Sequence, residues 1–303
     1  DNTIAISDVD DIELSGATVT ISSGLTTEDN LTFTDQNGIS GSFNSGAGVL
    51  TLSGTVSMAH YETALKSVTF NSTDEDPTLT SSSRIISWQI TDANSDGAGA
   101  ATSSSFTSTI NISPTSDAPS MTAGATITYT ENGSAAIIDN TIAISDVDDI
   151  ELSGATATIS SGFTTGAGDM LAFTDQNGIS GSFDSGAGVL TLSGTASLAN
   201  YETALKSVTY NSTSKDPTLI SSSRTISWQV TDATSDGAGS VTSSSVNSTI
   251  NITPISDAPT ITAGGTMYYT ENGNAAVIDN TITISDVDDI ELSGAAVTII
   301  SGL

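Results

Sequence analysis

Short runs of alternating apolar and polar residues dominate the chain. In RTISWQV, Ile226, Trp228 and Val230 fall on one face and the polar residues between them fall on the other. This period-two pattern is typical of a β-strand with one buried face. Further β-branched or aromatic runs in the same part of the chain occupy residues 125–132, 154–160, 170–174, 179–184, 188–194, 207–212 and 245–254. The chain is therefore predicted to be all-β.

One segment departs from that alternation. In SLANYETALKS (197–207), Leu198, Tyr201 and Leu205 recur at helical spacing, which predicts one short helix between strands. Turn sequences such as DQNG (175–178) separate the other runs. Roughly seven or eight short antiparallel strands with turns between them predict a Greek-key β-sandwich with one short helix.

The same pattern occurs twice and then begins a third time. Residues 1–21 read DNTIAISDVDDIELSGATVTI, and near-copies of this run occupy 139–159 and 279–299. Asp1 and Asp139 are separated by 138 residues, and Asp139 and Asp279 by 140. A unit of that length is large enough for its own core, so the chain is predicted to be a tandem array of sandwiches.

Proline-rich linkers mark the predicted domain limits. SPTSDAPSMT and its copy TPISDAPTIT carry prolines on both sides of an Asp-Ala pair, and proline cannot continue a strand ladder. Boundaries near Pro119 and Pro259 give a repeat without its first strand (1–119), a complete repeat (120–258) and the start of a third (259–303). Both ends fall within a repeat, as expected of an excerpt from a longer protein.

Composition narrows the range of partners. The chain has 35 acidic and 5 basic residues, for a net charge of −30. Nucleic acids and anionic membrane surfaces repel such a field, so neither is expected as a partner. No apolar run is long enough to insert into a membrane. There is no cysteine, so disulfides and thiolate metal sites are excluded.

Each repeat carries a dense acidic motif, SDVDDIE. Three Asp in four residues repel one another unless a cation lies among them. Oxygen ligands without His or Cys nearby suit Ca²⁺. The motif supplies Asp8 and Asp10, then Asp146 and Asp148, then Asp286 and Asp288; Asp11, Asp149 and Asp289 complete it. Nearby acids are Glu131 and Glu271 in TENG, Asp117 and Asp257 in the linkers, and Asp92, Asp96, Asp232 and Asp236 in the TDANSDG and TDATSDG loops.

Taken in order, these motifs resemble the cadherin-like repeats of large bacterial surface adhesins of the RTX-adhesin type. TENG before an aliphatic strand, DVDD, the ISWQVTD strand and SDAP at the junction are similar to that family's PEN, DxD, xTD and NDAP elements. The resemblance extends over the whole chain. It implies a cadherin- or immunoglobulin-like sandwich, an extracellular location at a cell surface or in a secreted fibre, and Ca²⁺ at each junction.

The resemblance also implies a ligand set for each junction. One set comprises Asp117, Asp146, Asp148 and Asp232; the next comprises Glu131, Asp257, Asp286 and Asp288 with acids of the neighbouring loop; Asp8, Asp10, Asp92 and Glu271 are the corresponding positions elsewhere in the array. SDAP is shorter than the linker of cadherins and offers fewer ligands. One or two ions per junction are therefore expected.

The same acids have a second interpretation. Asp-rich turns also occur as solvated hairpin loops, which need no metal. For Asp92, Asp96 and Glu202 the ligand and surface roles stay equally open. The scarce cations Arg84 and Arg224 are expected to pair with local carboxylates.

The leading functional hypothesis is a structural extender, in which repeats stiffened by calcium contact neighbouring repeats of the same chain. The alternative is an adhesive module that binds cell-surface glycans or other copies of itself, assembling by strand donation into a filament. An enzyme is not expected, because every candidate acid or base belongs to a repeated motif.

Overall fold

Alternating runs form the strands of two compact β-rich units. The computed structural model describes residues 1–95, 97–163, 165–166, 168–235 and 237–301. One unit holds Asp1–Asp117 with Val147–Asp149 and Thr234–Ser240; the other holds Ala118–Asp146, Ile150–Ala233 and Val241–Leu303. The domain limits at Pro119 and Pro259 stay a prediction.

The first unit contains seven strands and one helix in its described residues. Its elements are β1 (Glu13–Ser23), β2 (Asp29–Thr32), β3 (Ser40–Asn44), β4 (Val49–Ser57), α1 (Met58–Lys66), β5 (Thr69–Ser72), β6 (Ser83–Asp92) and β7 (Phe106–Asn111). One sheet has the strand order β3-β4-β1-β6-β7, and β2 pairs with β5 in a second sheet. All of these pairs are antiparallel.

The second unit repeats this arrangement and adds strands at its start. Its elements are β8 (Ser120–Thr122), β9 (Thr126–Thr130), β10 (Ala136–Ile137), β11 (Ala143–Ser145), β12 (Glu151–Ser161), β13 (Asp169–Ala172), β14 (Ser180–Asp184), β15 (Val189–Ser197), α2 (Leu198–Lys206), β16 (Thr209–Ser212), β17 (Ser223–Asp232), β18 (Val246–Thr253), β19 (Thr260–Thr262) and β20 (Thr283–Ser285). The larger sheet has the order β14-β15-β12-β17-β18-β9, and β10-β16-β13 form a second sheet. Strand β9 runs parallel to β18, with Ile127 opposite Ile250.

The core of the second unit lies between these sheets. Trp228 is 0% exposed, and Ile226 and Val230 beside it are also fully buried, as the alternation predicts. Tyr129 from β9 packs edge-on against Tyr210 from β16 with ring centroids 5.1 Å apart. The prediction of tandem Greek-key β-sandwiches with one short helix per repeat is confirmed.

Helix α2 begins and ends where its sequence predicts. The Ser197 side chain accepts a hydrogen bond from the Asn200 N–H, which caps the first turn. Tyr201 and Leu205 are buried, and the Tyr201 hydroxyl donates to the Gly194 carbonyl at 2.6 Å. Burial raises the pKa of Tyr201 to about 12. The helix thus closes one edge of the core.

Candidate metal centre

The acidic segment of the first repeat folds into a tight turn around Asp8. Asp8 Oδ1 accepts hydrogen bonds from the N–H groups of Asp10 and Asp11, at 3.2 and 3.1 Å. The Asp11 and Asp10 N–H groups lower the pKa of Asp8. Each of Asp8, Asp10 and Asp11 offers a carboxylate oxygen, and these oxygens lie within 4.8 Å of one another. Three carboxylates at that separation repel one another, so a cation among them is stabilising.

Asp11 ties this turn to the loop that follows β6. Its buried carboxylate accepts hydrogen bonds from both the N–H and the hydroxyl of Ser95. In the same loop, the Asp92 carboxylate accepts from the N–H of Ala101 at 2.9 Å and of Asn94 at 3.3 Å. Asp11 and Asp92 therefore hold the backbone of the loop in place.

The acidic segment of the second repeat forms the same cluster. Oxygens of Asp146, Asp148 and Asp149 lie within 4.8 Å of one another. Asp148 and Asp149 are buried, whereas Asp8 and Asp10 in the first repeat are exposed. The linker also reaches this segment, because the Asp117 N–H donates to Asp148 Oδ2 at 2.8 Å.

The loop after β17 repeats the contacts of the loop after β6. Asp149 accepts from the N–H and the hydroxyl of Ser235, as Asp11 does from Ser95. The fully buried Asp232 accepts from the Val241 N–H at 2.8 Å. Asp96 and Asp236, which the sequence places in these two loops, lie outside the described residues.

The TENG glutamate of the second repeat is buried. Glu131 Oε2 accepts from the N–H of Ile255, in the linker, at 3.0 Å, and Glu131 Oε1 accepts from the Asn132 side chain at 3.4 Å. These contacts anchor the start of the linker after β18. Its counterpart Glu271 is exposed.

The third acidic segment keeps the local hydrogen bonds of the first. Asp286 Oδ1 accepts from the N–H groups of Asp288 and Asp289, at 3.0 and 3.1 Å. The Asp257 N–H donates to Asp288, as Asp117 does to Asp148 one repeat earlier. Each linker aspartate thus meets the second aspartate of a DVDD motif through its backbone.

Within each cluster, the structure adds a member to the predicted ligands. The sequence prediction named Asp8 and Asp10, and Asp146 and Asp148; the geometry places Asp11 and Asp149 beside them. The signal was the Asp-x-Asp-Asp spacing, because an Asx-type turn at the first Asp brings the fourth residue of the motif back toward it. Glu202 has a different role, since its Oε1 accepts from the Ile144 N–H at 2.9 Å and its Oε2 lies 3.2 Å from Lys206 Nζ.

Comparisons with known proteins give partial matches. No protein-family model matches the chain. Halomucin from Haloquadratum walsbyi is 32% identical over 109 residues, which are 34% of this chain and 1% of halomucin. The chain therefore spans about a hundredth of the length of that curated relative.

Cadherin domains are among the solved structures that match. The protocadherin gammaB7 EC3-6 cis-dimer structure matches with a TM-score of 0.33 and 14% identity over 86% of this chain and 52% of that one. Human CDH23 EC21-23 matches with a TM-score of 0.30 and 12% identity over 89% of this chain and 77% of that one. Matches with TM-scores and identities this low carry no weight for function. The RTX-adhesin type stays a prediction. No helix in the described residues is long and apolar enough to cross a membrane.

Proposed function

We propose that the chain is a run of extracellular spacer repeats from a surface or secreted protein, stiffened by Ca²⁺ bound at the acidic segments. The observation that carries this proposal is the recurrence of one carboxylate cluster, at Asp8, Asp10 and Asp11 and again at Asp146, Asp148 and Asp149. A spacer needs the same stiffening site in every repeat, whereas a catalytic site needs to occur only once.

The chemistry of the cluster favours calcium. Ca²⁺ takes six to eight oxygen ligands at flexible geometry, and carboxylates and backbone carbonyls both qualify. The chain contains no Cys, and its single His60 is replaced by Asn200 in the second repeat, so softer ligands are absent from the repeated motif. The linker acids Asp117 and Asp257 are proposed to complete the shell.

Further acids are proposed as outer ligands or as supports of the cluster. They are Asp92, Asp232, Glu131, Glu271, Asp286 and Asp288. Asp92 and Asp232 already hold their own loops through backbone N–H groups, which suits a supporting role. Such supports fix the ligands in place and raise affinity.

A cation at each acidic segment would make the array less flexible. The linkers are short and contain proline, so each already resists bending. Because metal binding favours the folded state with its ligands gathered, calcium would also raise stability, by an amount that grows with the logarithm of its affinity. The role of the chain would then depend on the number of repeats. Loss of one calcium site would increase flexibility only at the linker beside that site.

Calorimetric titration with Ca²⁺ tests the proposal. The double variant Asp148→Asn with Asp149→Asn keeps side-chain size and one acceptor oxygen in each side chain but removes two charges. The matched control is Asp175→Asn with Asp184→Asn, which removes two charges from exposed turns of the same repeat. We expect the first variant to lose the binding heat of one site and the control to retain it. An absence of binding heat at millimolar Ca²⁺ in the unsubstituted chain would refute the calcium assignment.

Self-association and glycan binding have no specific observation in their favour, and both stay predictions. Aromatic residues make up 5% of the chain, which is few for a sugar-stacking platform.

A further inference from the structure

Lys215 contacts a side-chain amide, unlike the other lysines of the chain. Of the three lysines, Lys66 and Lys206 each pair with a glutamate one turn earlier in the same helix. The Lys215 Nζ instead donates a hydrogen bond to Asn132 Oδ1 at 3.2 Å. The two residues are 83 positions apart, so the fold brings them together. An amine in contact with a carboxamide is a nucleophile beside an electrophilic carbon.

The turn that carries Asn132 is ordered. Asn132 has φ 57°, in the left-handed region. On one side of it, the Glu131 N–H donates to the Thr253 carbonyl at 3.0 Å. On the other side, the Gly133 N–H donates to the Thr130 carbonyl at 2.9 Å. The carboxamide of Asn132 is therefore attached to a backbone that is fixed at both neighbouring residues.

The loop that carries Lys215 is ordered as well. The Thr213 N–H donates to the Gly168 carbonyl at 3.0 Å, and the Asp216 N–H donates to Ser214 Oγ at 3.2 Å. These bonds hold the backbone before and after Lys215. Two reacting groups that are held in contact react as in an intramolecular reaction, which raises the rate by orders of magnitude.

A carboxyl group lies beside the amide nitrogen of Asn132. Glu131 is 1% exposed, and its Oε1 accepts a hydrogen bond from Asn132 Nδ2 at 3.4 Å. Its Oε2 accepts from the Ile255 N–H at 3.0 Å, which fixes the orientation of the carboxyl group. Attack of Lys215 on Asn132 Cγ requires Nδ2 to leave, and a carboxyl group at this position can carry a proton to Nδ2. The three side chains thus supply a nucleophile, an electrophile and a proton carrier.

We propose that Lys215 and Asn132 condense to form an isopeptide bond within the second unit. A bond forms between Lys215 Nζ and Asn132 Cγ, and the bond between Cγ and Nδ2 breaks. Two protons pass from the Lys215 ammonium group to Nδ2, with Glu131 as the carrier, and ammonium leaves. No oxidant or other reactant is needed, because one amide is exchanged for another.

The bond closes a covalent loop. It joins the turn after β9 to the segment between β16 and β17, and the loop contains residues 132–215. A cross-link of this kind restricts the unfolded chain as a disulfide does, and the chain has no cysteine to form one. When the chain is pulled from its ends, the residues inside the loop cannot extend. The bond adds a covalent restraint to the proposed spacer role and does not depend on calcium.

Mass spectrometry of the full chain tests the bond. We expect an intact mass lower than that of the sequence by one ammonia. Because trypsin does not cleave after a modified lysine, we also expect a tryptic product in which residues 85–206 are joined to residues 207–224. Lys215→Arg keeps the charge and a hydrogen-bond donor but removes the amine nucleophile, so it should have the full mass of its sequence. The control Lys206→Arg, at a lysine that pairs with Glu202, should keep the loss of ammonia.

A second variant tests the part played by Glu131. Glu131→Gln keeps the size of the side chain and an acceptor oxygen for the Ile255 N–H, but it does not carry a proton. We expect the cross-link to form more slowly in this variant by a factor of about 100 or more. The cross-linked fraction is followed over time after cell-free synthesis, and circular dichroism shows whether the variant is folded. Equal rates in a folded Glu131→Gln chain would refute the role of Glu131.

Two results would overturn the isopeptide bond itself. One is an unsubstituted chain that has the full mass of its sequence. The other is a loss of ammonia that persists in Lys215→Arg, because the ammonia would then come from a reaction that does not involve this amine.

Discussion

Arg224 Nε lies 2.6 Å from Asp169 Oδ2, and both side chains are buried. The guanidinium also donates to the carbonyls of Ser221 and Pro217, at 2.8 Å each, and the Tyr210 hydroxyl donates to the same carboxylate. In the first unit Arg84 and Asp29 form the same pair at 2.6 Å. The expectation that the two arginines pair with local carboxylates is met in both units.

A glycine lets the backbone pass close to this ion pair. Gly162 has φ +76°, and a Cβ there would lie 2.2 Å from the Ser223 carbonyl oxygen and 3.1 Å from Arg224 Cδ. Only glycine adopts this conformation at no steric cost. The position of Arg224 in the buried pair therefore requires glycine at residue 162.

Removal of Arg224 should destabilise the second unit strongly. Arg224→Met leaves Asp169 buried without its cation, and breaking a buried pair in this way costs about 3–5 kcal/mol. The control Lys206→Met breaks the partly exposed pair with Glu202, worth about 0.3–0.5 kcal/mol. Urea unfolding followed by circular dichroism gives both values. A loss below about 1 kcal/mol for Arg224→Met would show that the pair contributes little.

Stability should fall in acid through Asp139. Burial alone would raise its pKa, but hydrogen bonds from Gly124, Thr141, Ser248 and Ala125 outweigh burial and hold the pKa well below 3.8. A lowered folded pKa contributes stability that is present above the unfolded value of about 4 and is lost as the pH falls through the folded value.

Asp139→Asn checks this pH dependence. With chelator present, we expect Asp139→Asn to lower the free energy of unfolding by about 1–3 kcal/mol at neutral pH, because the substitution weakens a buried hydrogen-bond acceptor. Below pH about 4 the loss should be smaller. Asn140→Ala, a change at the exposed neighbouring residue, should have the same effect at both values of pH. Thermal melts at pH 7 and pH 3 measure the difference; an Asp139→Asn penalty that did not shrink in acid would contradict the assignment.

The two tryptophans should differ in access to solvent. Trp228 is fully buried, whereas its counterpart Trp88 is half-buried. In single-tryptophan chains made with Trp88→Phe or Trp228→Phe, acrylamide should quench Trp88 several times more strongly at concentrations where the chain is monomeric. Equal quenching would mean that Trp88 is as well covered in solution as Trp228.

Eight strands and the helix of the second unit were predictable because local chemistry specifies them, whereas the short strands β8, β10 and β11 were not predicted. All eight predicted strand runs between 125 and 254 overlap a strand, and SLANYETALKS contains α2 at Leu198–Lys206. Alternation identifies a strand and its buried face regardless of what it pairs with. The DQNG turn is also as expected, with positive φ at Asn177 and Gly178.

Pairing between distant strands was not predictable in the same way. Nothing in TITYT indicates that β9 runs parallel to β18, because parallel partners are set by the path of the whole chain. The half-burial of Trp88 was likewise not predictable from its own strand, which has the same alternation as that of Trp228. At the acidic segments, spacing pointed to Asp8 and Asp10, while the turn that adds Asp11 is a backbone feature.

Small-angle scattering of the unsubstituted chain, with Ca²⁺ and then with chelator, tests the central claim most directly. The account predicts that chelator makes the chain measurably more flexible, seen as a rise at high angle in the Kratky plot, and that the Asp148→Asn with Asp149→Asn variant is more flexible than the Asp175→Asn with Asp184→Asn control in Ca²⁺. Identical scattering with and without Ca²⁺, for a chain that remains folded in both, would contradict calcium stiffening of the array.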